Sequence, residues 1–471
     1  MTKSEHFLKK FVEPESVAII GASNNPARNN YHLVGNLINL GYGGRIYPVN
    51  PRESEISGLK TYSNVEDIEE IVDLAVIGVS AVVTPSVLEA CAKKGIKRVT
   101  LIAGGFSEIG SEGKKIQRRM HELLNHYGMR AIGPNALSPI NVHGKFAVSF
   151  HELKKIEPGR LSLIFQSGLY EPAFEWLLSD FNFHFSKLID LGNKMDINEV
   201  DALEYYISDP FTSVIGIHME SIAGDGRRFY DLLHAAAREK KQVVVLKTGR
   251  TPAGAEAAAS HTGAMVRGND RVFDGALKQA GAIRVDTTED FFDVTRALDR
   301  FYGVVPKGNR VAVAMLPGGL GVMVTDLCER SGLSMARTEK ATVEKLEKAF
   351  PSWEIAPNPW DLGVTMQFKD PVTVYGTWIQ AMATDPNVDM LAFQLHSKML
   401  LMPEEFFSLF TAAAKVGKPT AVWINGIEPG ENDALKWLEE NQVAVFRFPE
   451  KAIAGLVALY RLTRRFDHFD R

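Results

Sequence analysis

Three times along the chain a run of β-branched and aliphatic residues ends in a glycine turn and is followed by a helical pattern: SVAIIGAS (Ser16–Ser23), LSLIFQSG (Leu161–Gly168) and VAVAMLPGGLG (Val311–Gly321). Such runs are apolar on both faces, as strands of a parallel sheet covered by helices must be. Each reads as the opening of its own α/β unit. In the first, RIYPVNP, LAVIGVS and RVTLIAGGF continue the alternation until GPNALSPIN (Gly133–Asn141), and the charged HELKKIEPGR reads as a linker. The second continues through FSKLIDLG, TSVIGIHME and QVVVLKTG to AIRVDTTEDFFDVTRAL, and the third closes with VAVFRFPEKAIAGLVAL. Openings and closings of the last two correspond, which predicts one topology used twice. The expected fold is α/β: a Rossmann-like domain over 1–145 and two flavodoxin-like domains over 146–304 and 305–471.

A length of 471 residues suits two or three separate cores. The net charge of −4 and the lack of a basic block disfavour nucleic acid or an anionic membrane as partner. Cys91 and Cys328, both in helix-like apolar segments, suggest buried thiols in a reducing compartment. With no apolar h-region at the N-terminus and no membrane span, the expected location is cytoplasmic.

GAS (Gly21, Ala22, Ser23) ends the first strand, where open α/β sheets place phosphates against a helix N-terminus. Asn24, Asn25 and Pro26 follow, so this is no G-x-G-x-x-G. The second strand ends in Asn50, Pro51 and Arg52 instead of the acid that would hold an NAD ribose, and Arg52 suits a phosphate. A tight turn without a ligand is the other reading. His261 lies in TPAGAEAAASHTGAM, which lacks large apolar neighbours and reads as an exposed, flexible loop. A solvated histidine and a nucleophile toward phosphorus are both open there, the second needing an acceptor such as Glu220 to orient the imidazole. Ser167-Gly168 and Gly318-Gly319-Leu320-Gly321 each precede a helix and offer N–H groups to an anion, or serve only as packing turns. His218 and His396 read as core or strand-end residues, and Asn358-Pro359-Trp360-Asp361 as a turn. No Walker loop, kinase signature, H-E-x-x-H, nucleophile elbow or metal-spaced Cys/His cluster is present, so no metal site is expected.

Together GAS, YPVNPR, AGGFSEIGSEG, GPN, QSG, LGNKMDINEVDALEYYISDP, MESIAGDGRRF, LKTGRTPAGAEAAASHTGA, GGLGV and NPWD resemble the α-subunit of the ADP-forming acyl-CoA synthetases, and more distantly that of succinyl-CoA synthetase, from Val12 to about Leu462. The resemblance implies a CoA-binding domain and two CoA-ligase domains, with the ATP-grasp domains on a separate β-subunit in an α/β hetero-oligomer. It implies that acyl-CoA and phosphate give an acyl phosphate, whose phosphoryl group passes to His261 and then to Mg-ADP on the partner, releasing acid, CoA and ATP. Glu220 would orient His261. Gln166, Ser167, Gly168, Gly318, Gly319, Leu320 and Gly321 would grip phosphate. Gly21, Ala22, Ser23, Asn50, Pro51, Arg52 and Ser80 would hold CoA, with Asn135 near its thiol.

The pattern departs at Phe165, Leu169, Tyr170, Glu171, Ala136, Ser138, Asn29 or Asn30, Pro317 and Leu320, which points to an acid other than acetate. Two rivals are a non-catalytic CoA-binding relative and an NAD(P)-dependent oxidoreductase.

Overall fold

The computed structural model describes residues 5–153, 156–166, 168, 170, 177–178, 181–262, 269–316, 318–348, 350, 358–426 and 432–469. They fall into two compact units, 1–287 and 288–471.

Unit 1 holds two large sheets. The first comprises β1 (Ser16–Ile20), β2 (Arg45–Val49), β5 (Leu74–Ile77), β6 (Arg98–Leu101) and β7 (Arg130–Ile132) in the order β2-β1-β5-β6-β7, all parallel. A small hairpin of β3 (Glu55–Ile56) and β4 (Leu59–Lys60) follows β2. Every residue of β1 and β5 is buried, because helices cover both faces. Helix His32–Leu40 stops at Gly41 and helix Ser111–Tyr127 at Gly128, both in the left-handed conformation that glycine adopts without steric cost.

The second sheet comprises β8 (Ile140–Asn141), β9 (Phe146–Ala147), β10 (Pro158–Phe165), β11 (Phe185–Asp190), β12 (Val214–Met219), β13 (Gln242–Lys247) and β14 (Ile283–Val285), ordered β14-β13-β12-β10-β11-β8-β9. Its five long-range parallel strands carry the same order as the first sheet, and the β8–β9 hairpin extends it antiparallel. Residue 145 lies inside that hairpin, so the expected boundary after it divides a structural element. The supposed linker also starts β10 at Pro158.

Unit 2 repeats the order in a third sheet. It runs β16 (Ser334–Met335), β15 (Arg310–Met315), β18 (Met390–His396), β19 (Thr420–Asn425) and β20 (Val443–Phe446), with β17 (Trp360–Asp361) paired to β15. The NPWD segment is thus partly a strand and not only a turn. Helix Thr288–Arg300, expected to close the second domain, packs instead on helix Pro449–Phe469 and β20. Arg296 and Arg300 fix it there, both buried and paired to the carboxylate of Glu439. Both cysteines are buried, and burial pushes their thiols up to about 12.

Candidate active site and coenzyme loops

In an open parallel sheet, ligands meet the loops beyond the carboxyl ends of the strands. After β1, Gly21 has φ +89, and an added Cβ would come within 2.8 Å of the Gly78 carbonyl oxygen, so the loops after β1 and β5 touch through glycine. Asn30, at one of the positions of departure, donates its amide to the Gly21 carbonyl. Asn50 donates to Ala22 O at 2.8 Å and accepts from the Arg52 N–H at 2.9 Å, turning the chain so that Pro51 and Arg52 are exposed. Ser80 and Asn135 are exposed on neighbouring loops.

Sequence reasoning missed Glu53. Its carboxylate accepts from Ser23 Oγ at 3.4 Å, Asn24 N at 3.2 Å and Asn50 Nδ2 at 3.3 Å. An acid therefore does reach this loop, from three residues beyond Asn50, so its absence at the end of β2 is no argument against a ribose. The same contacts show that the donors of the GAS loop suit an anion. Fit to a phosphate-bearing coenzyme thus stands on the donor set itself.

The loop Leu191–Ile197 after β11 lies along the GPN turn after β7. Asn193 N and Met195 N donate to Pro134 O and Gly133 O at 2.9 and 3.1 Å. Gly192, at φ +52, has no room for a side chain, since a Cβ would sit 2.2 Å from Pro134 O. Asn193 Nδ2 reaches Glu108 Oε2 at 2.6 Å, and Glu108 Oε1 accepts from Gly105 N at 2.6 Å. Burial would raise the Glu108 carboxyl, but donors from the main chain and Asn193 outweigh it and hold the group below its usual range. Glu108 and Asn135 both flank Gly104.

Behind these loops, Gln166 follows β10, Lys194 belongs to the β11 loop, and Glu220 follows β12. Gln166 is 4% exposed, and its Oε1 accepts from Lys194 Nζ at 2.6 Å and Glu220 N at 3.1 Å. Lys194 was not singled out from sequence. Neither was Lys247 at the end of β13, whose ammonium burial pulls below the usual lysine range against the opposing pull of Asp270 and Glu220.

The histidine segment is not a loop: Pro252–Thr262 is a helix, so His261 lies in its last turn. Alanine is the best helix former and proline is accommodated in a first turn, which explains why TPAGAEAAASHT folds so. That helix packs against the 3-10 turn Ser107–Ile109 of the first sheet's loops. β12 and β13 are paired at Met219 and Lys247, so the segments carrying Glu220 and His261 leave adjacent strand ends. The side chain of His261 lies outside the described residues, as do Ser167, Leu169, Glu171 and Pro317. Gly168 is an exposed turn residue.

Phe165 and Tyr170, two of the positions of departure, are buried and pack ring to ring at 4.6 Å. Tyr170 also bonds His218, which is buried, while His396 is exposed at the end of β18 and accepts from Lys398 N at 3.2 Å. Ala136 and Ser138 are fully buried beneath the GPN turn. In unit 2, Gly318 and Gly319 are exposed at the start of helix Gly318–Ser331, and Leu320 is half-buried. Gly321 is glycine for packing, since a Cβ would meet Met315 Sδ at 2.9 Å. The Asp361 carboxylate stands beside Gly318, 2.8 Å from where a Cβ would project.

The fold and the loops define a class. Residues 15–140 match a CoA binding domain, and residues 158–298 match the succinyl-CoA ligase like flavodoxin domain. The α subunit of acetate–CoA ligase [ADP-forming] I of Pyrococcus furiosus is 37% identical over 469 residues, with 97% of this chain and 98% of that one covered. Acetate–CoA ligase [ADP-forming] II of Archaeoglobus fulgidus is 35% identical over 460 residues, covering 97% of this chain and 67% of the relative. Among solved structures, the dinucleotide-forming acetyl-coenzyme A synthetase 1 of Ca. Korarchaeum cryptofilum, in complex with phosphate and ADP, superposes with a TM-score of 0.88 at 31% identity, covering 98% of both chains. The chain belongs to the family of ADP-forming acetate–CoA ligase α subunits.

Proposed function

We propose that this chain is the acyl-transfer and phosphohistidine part of an ADP-forming acid–CoA ligase. The loops at Gly21, Ala22, Ser23, Asn50, Pro51, Arg52 and Ser80 hold CoA, with Arg52 on a phosphate and Asn135 toward the thiol. Phosphate attacks the acyl carbonyl of the thioester, CoA leaves as its thiol, and the acyl phosphate forms. The His261 imidazole then takes the phosphoryl group and the carboxylic acid departs. Transfer from His261 to Mg-ADP restores the imidazole and yields ATP. Glu220 steadies the imidazolium, and Gln166, Ser167 and Gly168 carry phosphate charge, as preorganised donors do in phosphoryl transfer.

The observation that carries this reading is the packing of the His261 helix on the Ser107–Ile109 turn, whose Glu108 shares Gly104 with Asn135. It supports a histidine working close to the thiol end of CoA. ADP would be bound by an ATP-grasp partner chain in an α/β hetero-oligomer, a reading supported by the Pyrococcus furiosus relative, which is named as an α subunit. Two buried thiols suit a cytoplasmic setting.

Phosphopeptide mapping under alkaline conditions tests the proposal. The chain given labelled phosphate and a panel of acyl-CoA thioesters should carry an acid-labile, base-stable label on His261 with the thioester it accepts. His261→Ala should lose it and keep CoA binding, and Glu220→Gln should lower it by roughly one to three powers of ten. Label elsewhere, or turnover by His261→Ala, sinks the mechanism.

A further inference from the structure

The Gln166 carboxamide is held by one end. Its Oε1 takes two hydrogen bonds, from Lys194 Nζ and the Glu220 N–H, while its Nε2 is buried without a hydrogen-bond partner among the described residues. Turning the amide over would set its NH2 against an ammonium and a main-chain N–H, three donors facing one another, so the orientation is dictated by its neighbours. A buried donor of this kind is costly to leave unmade and is satisfied by an acceptor such as an anion oxygen.

Lys194 is itself fixed. It has φ +51 in the loop bound to the GPN turn, its side chain is 4% exposed, and its ammonium donates to Ser221 O at 2.7 Å. Glu199 Oε2 stands 3.1 Å away as an ion pair that is not aligned as a hydrogen bond. The other oxygen of Glu199 accepts from Ala223 N at 2.5 Å and Gly224 N at 3.3 Å. One ammonium thus ties together the loops after β10, β11 and β12.

We infer that Lys194 is a positioning residue that locks the Gln166 carboxamide with its NH2 toward the phosphate. This rests on the reading of Gln166 as a phosphate ligand. Lys194 acts through Gln166 and also contributes a fixed positive charge behind it. The Lys194–Glu199 pair carries that charge without a net burial of ionic charge.

Calorimetric titration of the full chain with inorganic phosphate tests the inference. The paired variant Lys194→Met/Glu199→Gln removes both charges without orphaning either. It should bind phosphate about tenfold to a hundredfold more weakly, the range for a lost hydrogen bond to a charged group. Gln166→Leu should weaken binding similarly in the wild-type background and add little in the paired variant, whereas a merely structural lysine would give additive effects. Lys194→Arg, which keeps the charge and the donors, should restore most of the affinity. Unchanged phosphate affinity in the paired variant, or full additivity, overturns the inference. Should the paired variant not fold, the wild type decides: phosphate must shift the side-chain NH2 signal that Gln166→Leu removes, and an unmoved signal overturns it. A wild-type chain that binds phosphate yet is never labelled at His261 overturns the proposed chemistry alone.

Discussion

The Tyr170 hydroxyl lies 2.9 Å from Nδ1 of His218, with both side chains buried beneath the Gln166 strand end. Burial raises the phenol far above its usual range and pulls the imidazolium down to about 4, so the pair is neutral in the folded chain.

Stability should therefore fall in mild acid. The unfolded chain binds a proton at His218 near the ordinary histidine value of 6.5, while the folded chain resists until about 4. The unfolded state holds more protons across that window, so stability is present above pH 6.5 and is lost progressively as pH drops toward 4. The loss from this residue is on the order of 3 kcal/mol. Urea unfolding between pH 7 and 4.5 checks it, and the His218→Asn protein should show a flatter dependence.

Glu53 places a carboxylate on the donors of the GAS loop. Glu53→Gln should tighten CoA binding by about twofold to fivefold, because a partly exposed charge opposing a phosphate is worth up to about 1 kcal/mol. Arg52→Glu should weaken it. Calorimetry with CoA and with NAD reads both, and tighter binding of NAD than of CoA would refute the coenzyme assignment.

Lys187 is fully buried with Asp209, both carboxylate oxygens 3.0 Å from its Nζ. Lys187→Met should destabilise unit 1 by about 3–5 kcal/mol, since it leaves Asp209 charged and unpaired by its cation. Replacing both, as Lys187→Met/Asp209→Asn, should recover much of that loss. Denaturation midpoints of the two proteins give the comparison.

Gly192→Ala should cost more than about 2 kcal/mol, because the methyl group collides with main-chain oxygens of Pro134 and Asn135 and the backbone is left-handed there. The damage should be local. Hydrogen exchange ought to quicken at Asn193 N and Met195 N, which are bonded to the GPN turn, and unchanged exchange at those amides would contradict the docking.

Sequence alone determined the strands and the turns that end them, since apolar runs closed by Gly21, Gly168 and Gly318 are local signals of period and turn chemistry. It also carried the family, through motifs spread over nearly the whole length. His261 was legible as a residue but its setting was not: small residues lack the apolar stripe that marks a helix, although alanine favours one. Tertiary structure alone decided which side chains meet. Lys194 and Glu53 carry no local mark, and their roles arise only where a parallel sheet brings successive loops to one edge. There Gln166, Lys194 and Glu220, far apart along the chain, share hydrogen bonds because their strands are neighbours in the order β11-β10-β12.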